Sequence, residues 1–135
     1  MQSNWPITEL PGLNLAEKTQ LQEIGINTTI TLFNQGKTPE DKLNLAKQLQ
    51  VNIQHIHKWV ALANLSRVPT VGIKYCGLLL HSGVISVQQL AEIPTYKLHK
   101  QVIKLQVSTL QRADLSPSVE LVEQWIYQAK IIGKN

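Results

Sequence analysis

A chain of 135 residues can bury about two-thirds of its unfolded surface in one compact core, and 43% hydrophobic against 16% charged residues, with no low-complexity tract, exclude disorder except at the ends. A single cysteine, Cys76, excludes an internal disulfide and a thiolate metal cluster, and it fits a reducing compartment. The formal charge of +4 is uneven: residues 1–66 carry five Lys/Arg against five Asp/Glu and residues 67–135 eight against four, so an anionic partner is expected to meet the second half.

The opening residues MQSNWPITELPG lack a basic stretch followed by an apolar one. No apolar run approaches the ~20 residues of a membrane helix, which predicts a cytoplasmic protein without membrane insertion. Helical periodicity dominates and sustained alternation is absent, so the fold class is all-α. A first helix is predicted over 15–24 and stopped by Gly25. A short one follows over 29–34, with Thr28 as cap and Gly36 as stop. Thr38-Pro39-Glu40-Asp41 then supplies an N-cap, a proline for the first turn and two carboxylates at the positive end of the dipole, for a helix running to about Gln50. Asn52 caps the next helix, on which Ile53, Ile56, Val60 and Ala63 share a face until Pro69 ends it. Further helices are predicted over 73–82, stopped by Gly83, and over 87–93, capped by Ser86. Thr95 caps another to about Leu105, with Leu98, Val102 and Leu105 inward, and 106–115 carries the weakest pattern. Ser116-Pro117 opens a last helix with Val119, Val122, Ile126 and Ala129 on one side, closed by Gly133.

The halves repeat each other. Pro11 and Gly25 are fourteen residues apart, as are Pro69 and Gly83; at this offset of 58, Leu13 falls on Val71, Leu21 on Leu79, Ile26 on Val84 and Leu32 on Leu90. In the last helix of each half Trp59 falls on Trp125 and Ala63 on Ala129 at an offset of 66, so the second copy carries about eight extra residues, placed between Lys104 and Arg112. Two units are therefore expected, 1–66 and 67–135, packed as one body.

Each unit has a turn of form h-P-x-h-x between helices: Leu10-Pro11-Gly12-Leu13-Asn14 and Val68-Pro69-Thr70-Val71-Gly72. This turn resembles the helix-hairpin-helix motif. With the helix ending in Gly-(Ile/Val), the short capped helix and the Trp-bearing last helix, the chain is similar to a small bacterial-type helix-hairpin-helix family of unknown function, with VPTVGIKYCGLLLHSGVISVQQLAEIP through EQWIYQAK the closer copy. The resemblance implies tandem small helical bundles of helix-hairpin-helix-like (SAM-domain-like) type. It also implies the chemistry of nucleic-acid-binding members, in which glycines let the backbone approach a phosphate and amides at the second helix's N-terminus point at the anion. Carried onto this chain, that function falls on Thr70, Val71, Gly72 and Lys74, and in the first copy on Gly12 and Lys18. Both copies depart from the motif: Asn14 takes the second glycine position of the first, and Thr70 the first glycine position of the second.

Lys97, Lys100 and Lys104 fall within roughly 60° of one another on a helical wheel, a basic stripe opposite the apolar one, with Arg67, Lys74 and Arg112 in the same half. Other constellations do not assemble. His55 and His57 are two apart and project to different helix faces, so no metal is predicted. His81 is expected to cap helix carbonyls, Cys76 to be a small core residue, and the two matching tryptophans to pack rather than stack on bases. The carboxylates are scattered, so neither an enzyme nor a cofactor is expected.

Two functions follow. One is a non-catalytic module binding DNA or RNA without sequence preference, through hairpin amides and lysines. The other is a protein-interaction adaptor with degenerate hairpins, docking on a larger protein assembly through a helix face such as that of the C-terminal helix with Tyr127.

Overall fold

The computed structural model of the chain describes residues 2–110 and 116–133. It is all-helical, with a 3₁₀ turn (Ile7–Glu9) followed by α1 (Leu15–Glu23), α2 (Thr29–Gln35), α3 (Pro39–Leu49), α4 (Ile53–Ser66), α5 (Gly72–His81), α6 (Val87–Glu92), α7 (Thr95–Leu110) and α8 (Val119–Gly133). No strand occurs among the described residues, and Pro6 and Thr28 form an isolated antiparallel bridge. No described helix is long and apolar enough to cross a membrane.

Side-chain caps fix most of the helix starts, each satisfying an amide that the helix itself leaves without a partner. Thr28 accepts from the Thr31 N–H, Thr38 from Asp41, Asn52 from Gln54 and Ser86 from Gln89. Positive φ angles of 88° at Gly25 and 94° at Gly83 follow α1 and α5. Two boundaries differ from the sequence expectation. α7 begins at Thr95 itself, the Pro94 carbonyl accepting from Leu98 N–H, and continues to Leu110. α8 begins at Val119, because the Ser118 hydroxyl, rather than Ser116, accepts from the Leu121 N–H. Arg112 lies outside the described residues, whereas residues 105–110 of the expected insertion form the last turns of α7.

The core follows from the apolar faces. α4 packs on α2, α3 and α5, while α8 packs on α6 and α7. Their inward residues join one cluster holding both fully buried tryptophans, Trp59 and Trp125, with Leu21 and Leu79, Ile26 and Val84, and Leu32 and Leu90. Leu98 and Val102 turn into it from α7, whereas Leu105 is only half-buried.

The first residues are tied across this core. Ser3 N–H donates to the Arg67 carbonyl at 2.7 Å, and Trp5 receives Thr29 N–H on its carbonyl at 2.9 Å. The Trp5 amide donates to Thr29 Oγ1, and its indole Nε1 donates to the Ser66 carbonyl at 3.0 Å. Trp5, to which the sequence assigned no role, thus joins the start of α2 to the end of α4.

Cys76 is fully buried on α5, its Sγ 3.8 Å from the Ile73 carbonyl. Burial pushes the thiol from 9.0 up to about 12. The unfolded chain therefore releases this proton first, so the thiol's contribution to stability is complete below pH 9.0 and is lost as pH rises toward about 12. The advantage of the parent over Cys76→Ala, about 1 kcal/mol of cavity cost at neutral pH, is expected to narrow through that window in urea titrations.

Candidate functional site

The second hairpin is the short turn between α4 and α5, and most of its polar groups are used inside the molecule. Thr70 N–H and Thr70 Oγ1 both donate to Gln128 Oε1 of α8, at 3.0 and 2.7 Å. The Thr70 carbonyl accepts the Trp125 indole N–H at 3.1 Å. The next two amides, of Val71 and Gly72, both donate to the Val68 carbonyl. Gly72 has φ +50°, and a Cβ placed there would lie 2.8 Å from the Trp5 ring. The turn is tight as a glycine allows, but an indole rather than solvent covers this glycine. Lys74, just beyond, is exposed, with Nζ 5.1 Å from the centroid of the Tyr75 ring.

The first hairpin is closed differently. Asn14 is the N-cap of α1 in a reciprocal capping box: its side chain accepts from Glu17 N–H at 2.8 Å, and Glu17 Oε1 accepts from Asn14 N–H at 2.8 Å. The helix N-terminus thus already holds a carboxylate, the charge a phosphate would bring. Gly12 has φ +85°, and a Cβ there would lie 3.2 Å from Cε of Lys58, whose stem crosses the turn. Lys18 is half-buried on α1.

Lys97, Lys100 and Lys104 are all exposed along α7, as the helical spacing predicts. Lys97 shares a shallow cleft of about 400 Å³ with Glu92. α5 touches α7, so the hairpin's helix lies beside the helix of the stripe. Arg67 does not add to that stripe. It stacks on Phe33, 4.0 Å from the centroid, and donates to Asn64 and Gln2, while burial lowers its pKa.

A further basic feature comes from the half that is neutral in sequence. A groove of about 390 Å³ is lined by Lys42 of α3, His57 and Lys58 of α4, and Leu80 and Ile85 of the second half, with no carboxylate among its lining residues. Sequence reasoning missed this groove because it unites positions far apart in the chain. It also passed over Gln128, although this residue stands three places after Trp125 and so on a neighbouring line of the same helix. Among the described residues no three His, Cys, Asp or Glu side chains could hold a metal ion together.

Residues 11–132 match the family described as Domain of unknown function (DUF4332). The chain belongs to that family. The DUF4332 stretch takes in the first hairpin from Pro11 onward, the whole of the second, the α7 lysines and the groove, while Trp5 lies before it. No curated protein and no solved structure matches the chain.

Proposed function

We propose that this protein is a non-catalytic, cytoplasmic interaction adaptor made of two tandem helix-hairpin-helix-like units, 1–66 and 67–135, whose hairpins are joints of the fold rather than phosphate clamps. The observation that carries this reading is the set of bonds at Thr70, Val71 and Gly72: three successive amides of the hairpin and the Thr70 hydroxyl donate to Gln128 and Val68. The Asn14–Glu17 box supports the same view of the first turn. Support for tandem units comes from element positions. α4 starts at Ile53 and α8 at Val119, which is the offset of 66 inferred from the tryptophans, and α1 and α5 are each followed by a left-handed glycine.

The exposed lysines of α7 favour a second reading, in which duplex DNA or single-stranded RNA lies on Lys97, Lys100 and Lys104 beside Lys74. Fluorescence anisotropy of labelled duplex and single strand at low and near-physiological salt separates the two. The adaptor reading expects no binding that depends on these lysines, and a protein partner retained through nuclease and high salt. Binding that weakens steeply with salt, and is abolished in the Lys97→Glu, Lys100→Glu, Lys104→Glu triple variant while the fold persists, overturns it in favour of nucleic acid.

A further inference from the structure

The groove between α3–α4 and the α5–α6 connection combines charge and apolar surface. Its basic rim is Lys42, His57 and Lys58, and its apolar wall includes Val60, Leu80 and Ile85. Val60 is buried and gives a fixed floor, whereas Ile85 is 59% exposed, one of the larger apolar side chains left to solvent. Ile85 is held in place, since its amide donates to Gln89 Oε1 at 2.8 Å. A β-branched side chain on a fixed backbone loses little freedom when it is covered, so covering it favours binding.

We propose that this groove docks an acidic segment of a partner protein, one apolar side chain seated against Leu80 and Ile85 and flanking carboxylates meeting Lys42, His57 and Lys58. Charge complementarity selects this occupant: the rim is cationic on both α3 and α4 and has no carboxylate to oppose an acidic chain. The layout fits a peptide better than a single phosphate. His57 and Lys58 are adjacent on α4 and so diverge by about 100° around its axis, which separates the two groups instead of converging them on one anion. No Phe, Tyr or Trp lines the groove to stack on a base. The volume of about 390 Å³ is that of a small recognition pocket, enough for a short segment and not for a whole domain face. The proposal rests on the adaptor reading and names the chemistry of its partner.

The test uses a fluorescein-labelled hexapeptide alternating glutamate with leucine, with the lysine–leucine peptide as control, titrated into the full chain and followed by anisotropy and amide chemical shifts. The acidic peptide is expected to bind, to shift amides of the His57–Ala61 stretch and of Ile85, and to bind about ten-fold or more weakly in Lys42→Glu, Lys58→Glu. The control variant Lys97→Glu, Lys100→Glu is expected to bind like the parent. Because Lys58 also packs at Gly12, Ile85→Asp serves as a second variant that leaves that contact alone and should weaken the peptide similarly. Equal loss in the α7 variant, no binding at millimolar peptide, or displacement of the peptide by inorganic phosphate at the same amides each overturns the proposal. If the Lys42→Glu, Lys58→Glu variant still retains a nuclease-resistant partner, the groove assignment falls and the adaptor reading stands; nucleic-acid binding without peptide binding removes both.

Discussion

Replacing Gly72 with alanine is expected to destabilise the folded chain by about 3 kcal/mol, and most of that loss is expected to disappear when Trp5 is alanine as well. Two costs combine at this position. A residue with a Cβ at φ +50° sits in a backbone region that costs about 1 kcal/mol for an ordinary L-residue. The new methyl would also stand 2.8 Å from Cζ2 of Trp5, a contact that forces the indole to move and adds about 2 kcal/mol of overpacking. The indole cannot yield cheaply, because its Nε1 is bonded to the Ser66 carbonyl and its backbone is paired with Thr29. In the Trp5→Ala background the steric part vanishes and only about 1 kcal/mol of backbone cost remains. A double-mutant cycle by urea denaturation measures the difference as a coupling of about 2 kcal/mol. Strictly additive costs would show that the indole does not rest on this glycine.

The contrast between Trp5 and its two counterparts shows what the sequence makes legible. Trp59 and Trp125 are read as packing residues because they stand at matching places in the two repeats, next to small residues, and both are fully buried. The caps at Thr28, Thr38, Asn52 and Ser86 are legible for the same local reason, since a cap bonds to an amide two or three residues away. Trp5 is partnered 24 residues away in α2 and 61 residues away in α4. No period links these positions, so its role emerges only in three dimensions. Asn14 marks an intermediate case: a glycine-motif comparison treats it as a missing glycine, whereas its spacing to Glu17 is a capping box, a local signal that outweighs the motif. The lysine stripe of α7 is a helical-wheel property and is exposed as expected. The groove of Lys42, His57 and Lys58 needs three helices and a turn to meet, and net charge per half conceals it, because the carboxylates that neutralise the first half lie elsewhere.

The second large effect is expected at Gln128, and it separates a joint from a masked clamp. Gln128→Leu fills similar space but removes the acceptor shared by the Thr70 amide and hydroxyl, which lie 3.0 and 2.7 Å from Oε1. Leaving two donors without a protein acceptor in a half-buried turn is expected to cost about 2–4 kcal/mol. Thr70→Val removes one of those donors beforehand, so the double variant should recover about 1 kcal/mol relative to the sum of the single losses. Neither substitution removes the Trp125 Nε1–H or the Thr70 carbonyl that accepts it, so this bond is expected to hold the turn near its place in every variant. The same variant exposes the function of the turn. In Gln128→Leu the Thr70 N–H and O–H are released at the start of α5 with Lys74 close by, the donors and charge that a phosphate uses. If the turn is a joint, labelled duplex DNA gains no affinity from the substitution. Salt-sensitive binding that appears only in Gln128→Leu, and is lost again in Gln128→Leu, Lys74→Glu, would mean that Gln128 stands where a phosphate belongs and that the hairpin is a clamp held shut from within.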